Sequence, residues 1–332
     1  METVVSGIRS TGKLHLGNYY GALGNFVKMQ DAYNCYFFIA DLHSLTTHPT
    51  PGDLSRTVKQ VVIEYLAAGI DPEKATIYVQ SDVPEVAELY LYMNMNAYLG
   101  ELERATAFKD KVRANPDNVN AGLLTYPVLM ACDILIHHGT KVPVGKDQEQ
   151  HLEMTRTFGN RFNRLYDVDY FKEAQAFSFS DKLVKIPGLD GNGKMGKSNG
   201  DANCIYLSDA PELVRKKVMR AVSDSGPTEM NQAKPEAIQN LFDLMNVVST
   251  ADTVQHFEDA YNNCNIRYGD LKKQLAEDMV LATEPVRSRI VEIEKDEAYI
   301  QKVIRLGAEK AGESARKTLR EVREIMGIKK LY

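Results

Sequence analysis

Thr3-Val4-Val5-Ser6-Gly7-Ile8 and, one short loop later, His15-Leu16-Gly17-Asn18 decide how this chain folds. The first is an apolar run of strand length rich in β-branched residues. The second opens the amphipathic run Gly17-Asn18-Tyr19-Tyr20-Gly21-Ala22. Small polar residues therefore fall where a strand hands over to a helix N-terminus, and the free backbone N–H groups and dipole of such a place favour phosphate oxygens. The alternation continues outward: a helix to about Tyr33, a strand over Cys35 to Ala40, a helix from about Asp53 to Ala68, and a strand over Ala75 to Gln80. Asp53 reads as an N-cap, and Gly69 followed by Asp71-Pro72 as a stop. Strands separated by helices are the βαβ signature of a parallel sheet covered on both faces.

A long helical stretch from Pro84 to about Asp110, closed by Asn115-Pro116-Asp117-Asn118, interrupts this pattern. A helix over Leu123 to His138, a short strand over Lys141-Val142-Pro143-Val144 and a helix from Asp147 restore it. The Gly-rich segment Asp190-Gly191-Asn192-Gly193 then leads into Lys194-Met195-Gly196-Lys197-Ser198, two lysines three apart in a loop able to close on a polyanion. From Pro211 to Gly327 only helical spacing is left. Pro285 is expected to kink a helix or start a new one, and Asp296 to Met326 reads as one long amphipathic helix or a broken pair. The expected fold is α/β, a Rossmann-type doubly wound parallel sheet in residues 1–198 with a helical insertion at about 84–118. An all-helical domain over 199–295 follows, then a basic C-terminal helix or helix pair over 296–332.

At 332 residues the chain is long enough for two cores, and its net charge of −5 with no like-charge block excludes a whole-molecule field aimed at nucleic acid. The tail from Gln301 to Tyr332 carries nine Lys/Arg against four Glu, which serves either as a local patch for a polyanion or as a solvated helix face. Cysteines 35, 132, 204 and 264 show no C-x-x-C spacing, so no zinc or iron–sulfur site is expected, and Cys35 and Cys132 read as small buried hydrophobes. His137 and His138 point about 100° apart on a helix and cannot join Asp133 at one ion. No leader and no long apolar run is visible, so a cytoplasmic protein without a membrane partner is expected.

Taken in order, these motifs resemble the class I aminoacyl-tRNA synthetases, and among them the bacterial-type tryptophanyl-tRNA synthetases, over the entire length. The resemblance rests on Ser6-Gly7-Ile8-x-x-x-Gly12 leading into His15-Leu16-Gly17-Asn18, on Asp41-Leu42-His43, and on Gly100-Glu101-Leu102-Glu103-Arg104. It continues through Ala121-Gly122-Leu123-Leu124-Thr125-Tyr126-Pro127, Val142-Pro143-Val144-Gly145-Lys146-Asp147-Gln148 and the lysine loop. It implies activation of an amino-acid carboxylate by ATP, giving an aminoacyl-adenylate and pyrophosphate, then acyl transfer to a ribose hydroxyl at the tRNA 3′ end. The nucleophile already carries its charge, so the first step needs in-line positioning and stabilisation of charge on the leaving pyrophosphate, not a general base.

By the same resemblance His15 and Asn18 donate hydrogen bonds to phosphate, and Gly17 admits the nucleotide without a Cβ in the way. Lys194 and Lys197 clamp the β- and γ-phosphates, Met195 and Gly196 complete the loop, and Ser198 adds a hydroxyl. Mg²⁺ bridges the phosphates, held largely by substrate and water, with no protein metal site. Lys111 matches a lysine the family aims at the phosphates, although its spacing alone reads as a solvated surface charge. The nucleotide also meets Arg9, Ser10, Thr11 and Lys146, and adenosine recognition maps onto Gly7, Gly145, Asp147 and Ile186. Asp147 would accept from ribose hydroxyls; read without the family, Val144-Gly145-x-Asp147 is equally a strand end followed by an N-cap. Two departures stand out: Gly196 replaces the family's serine, which frees the loop backbone, and Arg9-Ser10-Thr11 stands where many relatives have Gln-Pro-Ser.

The amino acid is chosen by the helix from Tyr126, on which Tyr126, Met130 and Asp133 share one face. A carboxylate on an apolar face is costly unless it meets a donor. Two donors fit: the indole N–H of tryptophan, with Met130 packing on the ring, or an internal partner such as a backbone N–H or an arginine. Tyrosyl relatives carry Gln at the position of Met130, which favours tryptophan. Val5, which replaces an aromatic seen in some relatives, would complete the pocket with His43, Val142, Val144 and Gln148. The expected partners are ATP, L-tryptophan and tRNA(Trp), with a homodimer contact on the aromatic- and Met-rich segment 84–100 and no role for DNA. Tyrosine-tRNA ligation, a small-metabolite nucleotidyltransferase and a non-catalytic RNA-binding paralogue are the alternatives; intact Lys194, Lys197, Asn18 and Asp147 argue against the last.

Overall fold

The computed structural model describes residues 1–145, 148–177, 186–191, 193–197 and 200–329. Strand β1 (Thr3–Ile8) leads to a helical turn, α1 (Leu16–Asn18), then a π-turn over Tyr19–Leu23 and α2 (Gly24–Met29). After β2 (Asn34–Ile39) come the turn α3 (Asp41–Ser44), the helix α4 (Pro51–Ala68) and β3 (Ala75–Val79). Helices α5 (Glu85–Asn96), α6 (Leu99–Arg104) and α7 (Thr106–Ala114) replace the single helical stretch that the periodicity predicts. The α/β rhythm resumes with α8 (Ala121–Leu135), β4 (Lys141–Val142), α9 (Glu149–Leu165) and β5 (Gln175–Ala176). The helical half holds α10 (Pro211–Met219), α11 (Glu236–Val248), α12 (Ala251–Asn262), α13 (Tyr268–Ile293) and α14 (Glu297–Ile325).

The five strands form one sheet in the order β3-β2-β1-β4-β5, with every neighbouring pair parallel. Thr3 stands opposite Asn34 and Ile8 opposite Ile39, while Cys35 faces Ala75 and Ile39 faces Val79. The chain winds outward from β1 through β2 to β3, then returns to the other side for β4 and β5. This is the expected doubly wound order, and its reversal beside β1 marks the carboxyl ends of β1 and β4 as the place where ligands bind such sheets. Val4, Val5, Phe37, Ile39, Ile77 and Tyr78 are almost wholly enclosed, which explains why the inner strands read as unbroken apolar runs. The two-residue β5 is too short to carry a period, so sequence reading misses it.

The chain forms two compact units. Met1–Gly12, Asn25–Asp181 and Asp296–Tyr332 make the first, Lys13–Gly24 and Lys182–Lys295 the second. The first contains the sheet, and its core joins Val5, Phe38 and Tyr78 to Leu89 and Met93, Val128 and Cys132, Phe158 and Phe162, and Ala311 and Ala315. Helix α14 lies directly on β3: a Cβ on Gly307 would come within 1.6 Å of the Ile77 carbonyl oxygen. In the second unit α10 and α11 pack on α13, enclosing Val214, Val218, Leu241, Phe242, Met245, Leu275 and Met279.

Several element ends differ from expectation for identifiable reasons. Helix α4 starts at Pro51 with Thr50 as its N-cap, not at Asp53; the Thr50 hydroxyl receives the Asp53 N–H at 3.2 Å and donates to Asp53 Oδ2 at 2.6 Å. Proline at the first helical position and a carboxylate at the third complete this cap. Gly69 ends the helix as expected, at φ 109°. Helix α8 begins at Ala121 because Asn120 caps it, accepting from Leu123 N–H at 2.9 Å, and His138 (φ 51°) lies beyond its end. Helix α13 runs through Pro285 without ending. The lost bond concerns Leu281, which is 70% exposed, while Leu275, Met279 and Ile290 stay buried along the same helix. Helix α14 is one unbroken helix capped by Asp296.

Candidate active site

The carboxyl ends of β2 and β3 and the middle of α8 meet at Asp133. Just past β2, α3 supplies His43; just past β3, a 3-10 turn over Gln80–Asp82 supplies Gln80. Asp133 is only 1% exposed, and its Oδ2 lies 3.0 Å from His43 Nε2. The Gln80 amide nitrogen donates to both of its oxygens, at 2.7 and 2.9 Å. Gln80 Oε1 in turn accepts the backbone N–H of His43 at 3.4 Å. Asp41 ties the two strand ends together by accepting from the N–H groups of Leu42 and Ser81, both at 3.0 Å. Burial pushes the Asp133 carboxyl up, and the His43 and Gln80 donors oppose that rise. The donor to Asp133 is thus neither a backbone N–H nor an arginine. It is a histidine and a glutamine from two different strand ends.

Tyr126 sits beside this group, its ring edge-on to His43 with centroids 5.9 Å apart. Its hydroxyl bonds to His151 Nε2, and His151 Nδ1 lies 2.9 Å from Gln148 Oε1. Tyr126, His43 and Asp133 therefore adjoin one another, with Gln148 linked through His151. Met130 and Val144 each pack on the group of Ile134, Val142, Leu152 and Ala174. Val5 is enclosed in the main core. A Cβ on Gly7 would approach the Phe38 ring to 2.4 Å, so glycine there lets Phe38 lie against β1.

Two cations lie on the same unit. The Lys111 ammonium sits 3.6 Å from the centroid of the Tyr126 ring, and its pKa is lowered to about 8, first by burial and then by Arg9. Lys111 is thus half-buried over an aromatic ring and not a fully solvated charge. Arg9, at the end of β1, has Nε and Nη2 buried with no hydrogen-bond partner among the described residues, and burial lowers its pKa. An orphaned guanidinium in a positive environment is suited to an anionic oxygen. Ser10 does something else: its hydroxyl donates to Ser44 Oγ at 3.0 Å, and its carbonyl accepts from Thr57 at 2.8 Å. Thr11 is exposed, and the Gly145 carbonyl accepts from Gln148 N–H at 2.9 Å. Lys146, Asp147 and Ser198 lie outside the described residues.

In the second unit the two phosphate motifs come together. Residues 14–16 run antiparallel to 205–207, with Leu16 N–H to Ile205 O and Leu207 N–H to Leu14 O both at 2.9 Å. His15 caps α1, and its own N–H bonds Asn18 Oδ1 at 3.1 Å. Burial, then the charges of Lys197 and Lys194, lower the His15 pKa to about 4, so the ring is neutral near pH 7, and its Nδ1 is buried without a partner among the described residues. A Cβ on Gly17 would come within 2.9 Å of that ring. The lysine loop is a narrow hairpin: Met195 N–H bonds Ile186 O at 2.8 Å, and Gly188 N–H bonds Gly193 O at 3.2 Å. Ile186 and Met195 are buried at its base while Lys194 is exposed. Asn203, in a 3-10 turn over Asp201–Asn203, accepts from Asp190 N–H at 3.1 Å and donates to Gly196 O at 3.5 Å.

Gln80, His151 and Asn203 are functional candidates that the sequence reading passes over. The first has a signal in its position just past a parallel strand. His151 has one in its i, i+3 spacing from Gln148.

Residues 2–283 match the family described as tRNA synthetases class I (W and Y). The chain is 63% identical over 329 residues to the tryptophan–tRNA ligase of Porphyromonas gingivalis, covering 99% of this chain and all of that protein. It is 39% identical to the tryptophan–tRNA ligase of Clostridium tetani, over 98% of this chain and 96% of that one. A solved structure of tryptophanyl-tRNA synthetase from Campylobacter jejuni, complexed with ADP and tryptophan, superposes with a TM-score of 0.86 at 31% identity, covering 98% of this chain and 99% of that chain.

Proposed function

Because the chain belongs to the class I tRNA synthetases of the tryptophan and tyrosine family, we propose that it joins L-tryptophan to tRNA(Trp) at the expense of ATP. In the first step a tryptophan carboxylate oxygen attacks the α-phosphorus, the bond from that phosphorus to the β-bridging oxygen breaks, and pyrophosphate leaves. In the second, the terminal ribose hydroxyl of tRNA takes the tryptophanyl group and AMP leaves.

The observation that carries the choice of amino acid is the buried Asp133 carboxylate, an acceptor without donors of its own, one turn along α8 from Met130. It suits the donor-only indole N–H and gives a phenol oxygen, which also accepts, no donor in return. Tyr126, His43, Val5, Val142, Val144 and Gln148 shape the rest of the amino-acid site. Arg9 and Lys111 face developing negative charge at the carboxylate and α-phosphate. His15, Gly17, Asn18, Lys194, Met195, Gly196, Lys197 and Ser198 hold the triphosphate, while Gly7, Ser10, Thr11, Gly145, Lys146, Asp147 and Ile186 complete the nucleotide site. Fixed donors and charges aimed at the leaving pyrophosphate are the main source of rate. Among the described residues no three His, Cys, Asp or Glu side chains gather as a metal-ligand set. Mg²⁺ is proposed to come with the substrate, carried on ATP's own oxygens.

For the tRNA, the helical half and the basic face of α14 are the proposed contacts. Leu91, Met95, Tyr98 and Leu99, exposed on α5 and just beyond it, are the proposed dimer contact. No described helix is long and apolar enough to cross a membrane. The cytoplasm, where charged tRNA is consumed, is the proposed location. Amino-acid-dependent ATP–pyrophosphate exchange over all twenty amino acids tests the reading. Exchange with tryptophan alone is expected; exchange led by tyrosine, or none, overturns it.

A further inference from the structure

Gln80 is fully enclosed at the end of β3, and all its polar capacity toward Asp133 is committed. Its amide nitrogen reaches both carboxylate oxygens and its carbonyl oxygen receives the His43 backbone N–H. That second contact fixes which end of the amide faces Asp133, since a flipped amide would set oxygen against oxygen and N–H against N–H. Counting lone pairs on the carboxylate gives an asymmetric result. Among the described residues Oδ2 already receives two donors, Gln80 Nε2 and His43 Nε2, whereas Oδ1 receives Gln80 alone. With two lone pairs per oxygen, one acceptor remains, on Oδ1.

We propose that Gln80 is the positioning residue for amino-acid selection: held by the His43 backbone, its amide keeps Asp133 an ionised acceptor and leaves one open lone pair for the ring N–H of the amino acid. The inference rests on the reading above that Asp133 meets that N–H. The other groups facing Asp133 make Gln80 necessary. Asp41 adds repulsion to the penalty of burial, His43 is the one ring donor, and Tyr78 and Cys132 are held neutral by their burial next to Asp133. Without the Gln80 donors, Asp133 would take up a proton at higher pH, and a protonated carboxyl can set its own O–H against the indole N–H.

The test compares tryptophan with its β-(benzothiophen-3-yl)alanine analogue, in which sulfur replaces the ring N–H, by pyrophosphate exchange with the full chain. The wild type is expected to prefer tryptophan; if it activates both equally, the Asp133 reading itself fails, independently of Gln80. Gln80→Met keeps the side-chain length and removes the donors. It is expected to raise KM for tryptophan about 10- to 100-fold, to change the analogue far less, and to move the acid limb of the tryptophan profile to higher pH. Gln80→Glu keeps the oxygen for His43 and can donate only when it shares a proton with Asp133, so its tryptophan KM improves as pH falls, the opposite direction. Equal losses for both substrates with an unmoved acid limb in Gln80→Met overturn the proposal. A Gln80→Glu profile that runs with the wild type overturns it as well, including when the methionine variant does not fold.

Discussion

Replacing Arg9 by the glutamine found in many relatives should separate binding from stability in one substitution. Each buried donor lacking an acceptor costs about 1–3 kcal/mol, and Arg9 has two, Nε and Nη2. Glutamine has a smaller polar group to satisfy, so the ligand-free variant is expected to gain about 1–3 kcal/mol. In a chain of this size that is a rise in Tm of roughly 1–4 °C. Binding goes the other way. A charge-assisted contact to the carboxylate or α-phosphate is worth about 1.5–3 kcal/mol, so KM for ATP or tryptophan should rise roughly 10- to 100-fold.

The same variant has a signature in pH. Lys111 has a pKa of about 8, partly because of Arg9. If it binds an anion as a cation, substrate binding weakens as pH rises through about 8. Removing Arg9 raises the Lys111 pKa part of the way toward its ordinary value, since burial, the larger cause, remains. The alkaline limb of the KM profile should therefore move upward. Thermal melts with and without ATP plus tryptophan, and exchange kinetics between about pH 6.5 and 9.5, read all three effects. A variant that melts no higher than the wild type and binds both substrates unchanged would show that the guanidinium is already satisfied in solution and meets neither substrate.

Lys197→Ala should slow pyrophosphate exchange about 10²- to 10³-fold with little change in tryptophan KM; unaltered exchange removes the lysine loop from the mechanism. Met130→Gln places an amide against the group of Ile134, Val142, Leu152 and Ala174 and should cost tryptophan about tenfold in kcat/KM or more, with a trace of tyrosine activation; full retention shows that Met130 does not touch the ring. Gly307→Ala drives a Cβ to 1.6 Å from the Ile77 carbonyl oxygen and should lose more than about 3 kcal/mol in urea unfolding, so wild-type stability would mean that α14 does not rest on β3. His15 titrates near 4 when folded and near 6.5 when unfolded. Its contribution to stability is complete above about pH 6.5 and is lost as pH falls toward 4; His15→Gln should flatten that limb, and an unchanged slope contradicts the buried, neutral ring.

The sheet was legible because inner strands buried on both faces leave continuous apolar runs, and because Gly69 can end α4 with a left-handed residue that few others tolerate. Thr50-Pro51-x-Asp53 carries two capping groups, and a carboxylate at the third helical position has the same sequence signature as an N-cap while the Thr50 hydroxyl takes that role. Pro285 misled for a different reason: a proline rule counts the lost hydrogen bond and not the apolar side of a helix that spans 26 residues. The edge strand β5 and the breaks between α5, α6 and α7 leave no periodic trace over so few residues.

At the candidate site, sequence could say that Asp133 needed a donor but not which one, because hydrogen-bond partners inside a parallel α/β fold come from strand ends remote in sequence. His43 and Gln80 stand 90 and 53 residues away from Asp133, and helical or strand spacing is silent at such distances. The same fact explains why this carboxylate tolerates burial. Two β–α junctions each contribute one donor, and Asp41 bonds both junctions through backbone N–H groups, so neither donor can withdraw without disturbing the sheet's edge of turns. A surface aspartate could recognise a ring N–H only in competition with water. On the proposed reading, one already desolvated and bonded to fixed donors gains nearly the whole of that bond, and an amino acid without the N–H leaves the remaining lone pair on Oδ1 without a donor.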